Sequence, residues 1–206
     1  MKNPTFQHSV DHPNRLTRNP GFTLIELLVV IAIIVVLAAA GFQAGNFALN
    51  RAKKVKALAV CTELEQAIQR FYDDNGTLPV DIAADTTFDS NSAEGLDLLL
   101  VLMNQEANDP PLNGKGIKYL SVKQGNNDID GLIWNEAGTL VEGLYDPWGG
   151  DYQISLDGDF DETVTVLPKA ASTGRILQRR VAVWSDGADG SQDGDTGQVQ
   201  DDVTTW

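Results

Sequence analysis

The stretch NPGFTLIELLVVIAIIVVLAAAGF, residues 19–42, decides how the chain is organised. Glu26 is its only acid, set at the head of an apolar run that continues unbroken through residues 27–40. Residues 22–45 are enough to span a bilayer, since a hydrocarbon core of about 30 Å takes roughly 20 helical residues. A carboxylate at mid-membrane costs on the order of 2.5–3.5 kcal/mol, and less near the edge. Such a group marks a functional site and needs a named partner. An ordinary secretory signal has a basic start, an apolar stretch and a small-residue cleavage site. Ala38, Ala39 and Ala40 could serve as that site, but ordinary signals place no glutamate near the start of the apolar stretch. A cut between Gly21 and Phe22 supplies the partner. The new α-amino group stands four residues from Glu26, a neighbour on one helix. In an assembly, the amine of one subunit could meet the glutamate of the next. A buried charge left unpaired is strongly unfavourable, so that pair would enforce register between subunits.

The run GFTLIELLVVIAII, residues 21–34, closely resembles the class III signal of type IV prepilins and type II secretion pseudopilins. The resemblance implies that prepilin peptidase, a membrane enzyme, cuts after Gly21 and methylates the new terminus at Phe22. Glu26 would then be the fifth residue of the mature chain and an assembly residue rather than a catalyst. Three regions follow: a leader over residues 1–21, a hydrophobic transmembrane or filament-core helix over 22–50, and a head over 51–206. Charge alone leaves orientation open, because Lys2, Arg15 and Arg18 precede the segment while Arg51, Lys53, Lys54 and Lys56 follow it. The family implies a cytoplasmic leader, a single inner-membrane pass and a periplasmic head, assembled into a periplasmic or extracellular filament.

Beyond the apolar run the pattern stays helical. Val55, Leu58, Cys61, Leu64, Ile68 and Phe71 recur at spacings of three and four, an apolar stripe on which a sheet can pack. Gly41 and Gly45 are tolerated breaks. The helix should stop at Asn75-Gly76, with Pro79 soon after. The exit FYDDNGTLP also resembles pilin-like chains. Ser92 is placed to cap a short helix through Met103, and Lys118-Tyr119-Leu120 reads as a strand. The rest of residues 80–145 gives little signal.

In YDPWGGDYQISLDGDFDETVTV, residues 145–166, Pro147 and Gly149 mark a turn. Tyr152, Ile154 and Leu156 alternate with polar residues as a half-buried strand, and Val164 and Val166 do likewise across a turn at Gly158. Residues 176–184 form a further strand. The expectation is an α+β type IV pilin fold, a long N-terminal helix packed on a small antiparallel sheet. The D-P-W-G-x-x-Y run, from Asp146 to Tyr152, resembles a hallmark of the major pseudopilin of type II secretion, with Trp148 as a packing anchor. Asp157, Asp159, Asp161 and Glu162 resemble the start of a calcium loop. They lack its glycine and have Pro168 where the closing glutamate should stand, so they read as a solvated hairpin turn.

The tail VWSDGADGSQDGDTGQVQDDVTTW holds six aspartates and no cation. A flexible acidic tail is one reading. Trp184 and Trp206 bracket the run as if both ends were tied down. As an EF-hand, Asp189, Ser191, Asp193 and Asp195 fit, but Gln200 replaces the bidentate glutamate. The order Ser185, Gly187, Asp189, Gly190, then Asp202, Val203 and Trp206, resembles the last loop of the major pseudopilin. In that family the loop binds one calcium ion. The resemblance makes Asp189 and Asp202 the side-chain ligands, with oxygens near Asp186 and Thr204 completing the shell and Asp201 in reserve.

The chain has 206 residues and a formal charge of −14. Residues 1–21 carry a net of +2, which leaves about −16 on the remainder. That surface argues against nucleic-acid binding, which needs a basic face. One cysteine, Cys61, excludes an intrachain disulfide and reads as a packing residue. Both histidines, His8 and His12, fall in the leader. The mature chain therefore lacks Ser-His-Asp and Cys-His catalysis and His-based zinc sites.

The reading is a non-enzymatic subunit of a homo-oligomeric helical filament, a pseudopilus for type II secretion. Its partners would be prepilin peptidase, the inner-membrane secretion machinery and the membrane, and its cofactor calcium. The alternatives are a type IV pilin for adhesion, motility or DNA uptake, and a membrane-anchored calcium-binding domain. Type IV pilins commonly end in a disulfide-closed loop, which Cys61 alone cannot make.

Overall fold

The computed structural model describes residues 21–166, 175–190 and 201–206, apart from the side chains of Ala40, Gln43 and Ala44. The leader through residue 20, with its histidines, lies outside the described residues, as do Pro168, Ser191, Asp193, Asp195 and Gln200. Ten elements follow in order: α1 (Leu24–Asn75), β1 (Thr86–Asp89), α2 (Ala93–Leu102), β2 (Gly131–Trp134), β3 (Val141–Tyr145), β4 (Tyr152–Leu156), β5 (Val164–Val166), β6 (Arg175–Leu177), β7 (Val181–Ser185) and β8 (Val203–Thr204). The fold is α+β, a long N-terminal helix followed by a small antiparallel sheet, as a type IV pilin fold requires. The sheet has the order β1-β4-β7-β8, and β2-β3 and β5-β6 form separate ribbons. Two compact units divide the chain, one through Asn46 and one from Phe47 to Trp206.

In the first unit α1 begins at Leu24 and runs helically through both Gly41 and Gly45. Its apolar side chains are exposed: Leu24 is 83% exposed, Ile31 53% and Leu37 66%. Among the described residues no helix is long and apolar enough to cross a membrane.

The second unit carries its own core. Ala57, Val60, Cys61, Leu64, Ala67, Ile68 and Phe71 are buried on one face of α1. They share a cluster with Leu98, Leu99 and Leu102 of α2 and with Tyr152, Ile154, Val181 and Val183 of the sheet. The stripe lies where expected from Cys61 onward, but Val55 and Leu58 do not belong to it. They are exposed, and Ala57 and Val60 take the inward positions. At the C-terminal end, Gly76 adopts φ +72° and its N–H donates to Tyr72 O at 2.7 Å, the stop expected there.

Ser92 caps α2 by accepting from Gly95 N at 3.1 Å. Gly95 cannot be otherwise, since a Cβ there would lie 2.1 Å from Asp89 O. Lys118-Tyr119-Leu120 is not a strand. The amides of Tyr119 and Leu120 both donate to Leu102 O, at 2.8 and 3.3 Å. The Tyr119 ring packs edge-on against Phe71, with centroids 5.3 Å apart. The helices therefore hold this segment without a sheet partner.

β4 is buried on both faces rather than one. Tyr152, Ile154 and Leu156 face the main core, while Ser155 bonds Thr87 and Gln153 bonds Asp89. A second cluster of Val164, Val166, Leu177, Ala182 and Trp184, with Trp206 against it, occupies the other side of β7. β5 pairs with β6 and not with β4, so residues 157–163 are not a two-strand hairpin turn. The strand expected over residues 176–184 is two strands, β6 and β7, broken at residues 178–180.

Candidate functional site

Two regions carry the residues singled out from the sequence. At the N-terminal one, Gly21 lies outside any regular element and Phe22 is 84% exposed, so the Gly21–Phe22 bond is open to an enzyme. Glu26 lies in the first turn of α1. Its Oε2 accepts from Thr23 N at 2.8 Å and from Thr23 Oγ1 at 2.7 Å, and Glu26 N donates to Thr23 Oγ1 at 3.3 Å. This is a reciprocal capping box, which satisfies helix-start donors that otherwise lack partners. The T-x-x-E spacing announces it in the sequence, beside the pairing expected with a Phe22 amine. A cut after Gly21 would leave the Thr23 amide, and with it the cap, intact.

The C-terminal region joins two segments far apart in sequence. The Asp146 carboxylate is buried and accepts from Trp148 N and Gly150 N, both at 2.8 Å, which builds the turn at Pro147 and Gly149. Its other oxygen accepts from Ser185 Oγ at 2.5 Å, and Ser185 Oγ accepts in turn from Gly187 N at 3.2 Å. The D-P-W-G turn is thus coupled to the entrance of the last loop. Trp148 packs against the core as expected, with Lys53 Nζ 5.8 Å from its ring centroid.

The loop closes where both ends were expected to be tied. Trp184 and Trp206 meet edge to face with centroids 5.6 Å apart, and β8 pairs with β7. Asp186 is buried, and its Oδ1 accepts from Trp184 Nε1 at 3.1 Å. Asp201 Oδ2 accepts from Ala188 N at 2.6 Å and from Asp189 N at 3.2 Å. Gly187 has φ +75°, and a Cβ there would lie 2.5 Å from Asp201 O, so glycine is required for the two arms to approach. Thr204 lies on β8, and its Oγ1 donates to Trp206 O at 3.1 Å. Asp186, Asp189, Asp201, Asp202 and Thr204 therefore belong to one closed loop, and Asp201 fastens its two arms. The donors are all oxygens, the set a hard cation such as calcium takes.

Among the described residues, one group of three carboxylates has oxygens within 4.8 Å of one another: Asp85, Asp157 and Asp159. It lies elsewhere in the head. Asp157 is fully buried and accepts from Asp161 N at 3.0 Å and Glu162 N at 2.9 Å, so this turn is not simply solvated. Partial burial, with the nearby Asp159, Asp157 and Asp161 carboxylates, raises the Asp85 pKa. Asp85 could not be found from the sequence because it lies more than seventy residues from its neighbours.

Cys61 is buried in the core, and burial pushes its thiol pKa up, so it stays protonated and inert.

Residues 16–42 match the prokaryotic N-terminal methylation motif. The chain is type IV pilin-like. Three curated proteins illustrate the likeness. The fimbrial protein EcpC of Eikenella corrodens is 41% identical over 31% of this chain and 42% of its own length. The type II secretion system core protein G of Vibrio cholerae is 26% identical over 70% of this chain and 76% of its own. The toxin coregulated pilin of Vibrio cholerae is 25% identical over 85% and 82%. This pilin-like chain thus spans about two fifths of EcpC and most of the other two. No solved structure matches it.

Proposed function

We propose that this chain is a non-enzymatic filament subunit of the pseudopilus type, serving type II protein secretion. The observation that carries the reading is the apolar first helix, exposed along residues 22–39 at the end that bears the methylation motif. A helix apolar all round must be covered by lipid or by other helices. Prepilin peptidase cuts after Gly21 and methylates Phe22. The helix holds the protein in the inner membrane with its head in the periplasm, then enters the filament core beside the helices of other copies. Glu26 meets the methylated amine there and sets register. The secretion role is supported by the likeness to core protein G over most of both chains, and by Cys61, which is buried alone and leaves the C-terminal loop without a disulfide. Asp189 and Asp202 hold calcium, with oxygens near Asp186 and Thr204 and with Asp201 bracing the loop. Calcium there supplies positive charge to a tail that holds six aspartates and no Lys or Arg.

A second reading, a type IV pilin subunit, is favoured by the toxin coregulated pilin match over 85% of the chain. Deleting the coding sequence in its native cell separates the two. The secretion reading predicts loss of exported folded enzymes from the medium while surface pili remain. Loss of pili with export intact would reject it.

A further inference from the structure

The head has a marked charge asymmetry. Residues 47–206 contain 12 Lys and Arg against 27 Asp and Glu. Four of those cations, Arg51, Lys53, Lys54 and Lys56, fall within six residues, and no acid appears before Glu63. They sit in the first turns of α1 within the head unit, directly after Phe47 and Leu49, which are 69% and 65% exposed. The head neutralises this collar only in part. Lys56 Nζ lies 2.9 Å from Asp130 Oδ2, but Lys123 shares that same carboxylate. Lys53 stands over the Trp148 ring. Asp202 lines the same groove as Arg51 and Lys54. A surplus of positive charge remains beside apolar and indole side chains, on a body that is otherwise strongly acidic.

We propose that this collar is a docking surface for the anionic phospholipid headgroups of the membrane from which the helix emerges. The proposal rests on the anchorage argued above. Apolar side chains followed at once by clustered cations and a nearby tryptophan match the layering of a bilayer edge, from acyl chains to phosphates. Asp130 and Asp202 reach the collar, two acids against Arg51, Lys53, Lys54, Lys56 and Lys123, so its net charge stays positive. At physiological salt the Debye length is about 8 Å, so repulsion from acids beyond that range is screened while contacts at the collar are not. The collar would hold an unassembled subunit against the membrane surface. A second copy of this acidic head could also satisfy the cations, but it would leave Phe47 and Leu49 without the apolar layer their exposure calls for.

The test uses residues 47–206, which contain both hydrophobic clusters, with vesicles of phosphatidylcholine alone or containing one third phosphatidylglycerol. Binding should require phosphatidylglycerol and fall with added salt. It should weaken about fivefold for each cation removed, so Arg51→Gln, Lys53→Gln and Lys54→Gln together should lose on the order of a hundredfold. The pair Lys115→Gln and Lys118→Gln should bind as wild type. Circular dichroism melts check that each variant is folded. Equal binding to both vesicles, no binding to either, or full binding by the folded triple variant would overturn the proposal. So would self-association of the head that the triple variant abolishes without vesicles, which would assign the collar to a second copy. Since the fragment lacks the processing site and the apolar run, these results do not depend on whether the chain is cut or forms filaments.

Discussion

Glu65 shows how one side chain ties three segments of the head together. Its carboxylate accepts from Thr205, from Val183 N at 3.3 Å and from Arg179 at 3.3 Å, which links α1 to β7 and to the last residues of the chain. Burial nonetheless pushes its pKa above the ordinary value, against the pull of Thr205, Arg179 and Val183. The sign follows from proton linkage. A raised native pKa means that the folded state binds more protons, so this contribution is full below the ordinary range near 4.3 and declines as pH rises through the native pKa. In denaturant titrations across pH 4 to 7, wild type should lose ground against Glu65→Gln as pH rises. A gap that grows in favour of wild type would show that the Arg179 pair outweighs burial. Residue roles were legible only where local spacing carried them. Thr23 and Glu26 stand three apart and announce a cap. The bond between Asp146 and Ser185 spans 39 positions and leaves no trace in sequence.

At the scale of elements, α1 was readable because a period near 3.6 persists over many turns. Its stop at Gly76 and the Ser92 cap were readable because turn chemistry is local. The stripe failed at its start: Val55 and Leu58 fit the spacing by size, but Ala57 and Val60 are the residues turned inward. Denaturation measurements can separate the two faces. Leu64→Ala should cost about 2–5 kcal/mol, the range for a filled core. Leu58→Ala, at 41% exposure, should cost well under half of that. Equal losses would return Leu58 to the core. β4 was read as half-buried because alternation reports one face at a time. Its Gln153 and Ser155 look solvent-facing until β1 and the second cluster cover them. β1, β2 and β3 leave little signal in the sequence because each has only four or five residues and no sustained alternation.

For the whole molecule, the proposed calcium site makes stability depend on the ion. In thermal melts of residues 47–206, calcium at a hundredfold over its Kd should add about 2.7 kcal/mol, or several degrees. Asp189→Ala and Asp202→Ala should abolish the rise, and the addition of chelator should reverse it. An unchanged melt would leave the loop closed by Asp201 and the tryptophan pair alone. The larger division, an apolar helix with exposed side chains and a head with its own core, underlies the central claim. That claim is that the chain is cut after Gly21 and carried by its first helix into a filament. It is tested most directly by mass spectrometry of the N-terminal peptide of the protein isolated from native membranes. The account predicts N-methylated Phe22 as the first residue. A chain that begins at Met1, or one cut near Ala40, would contradict it.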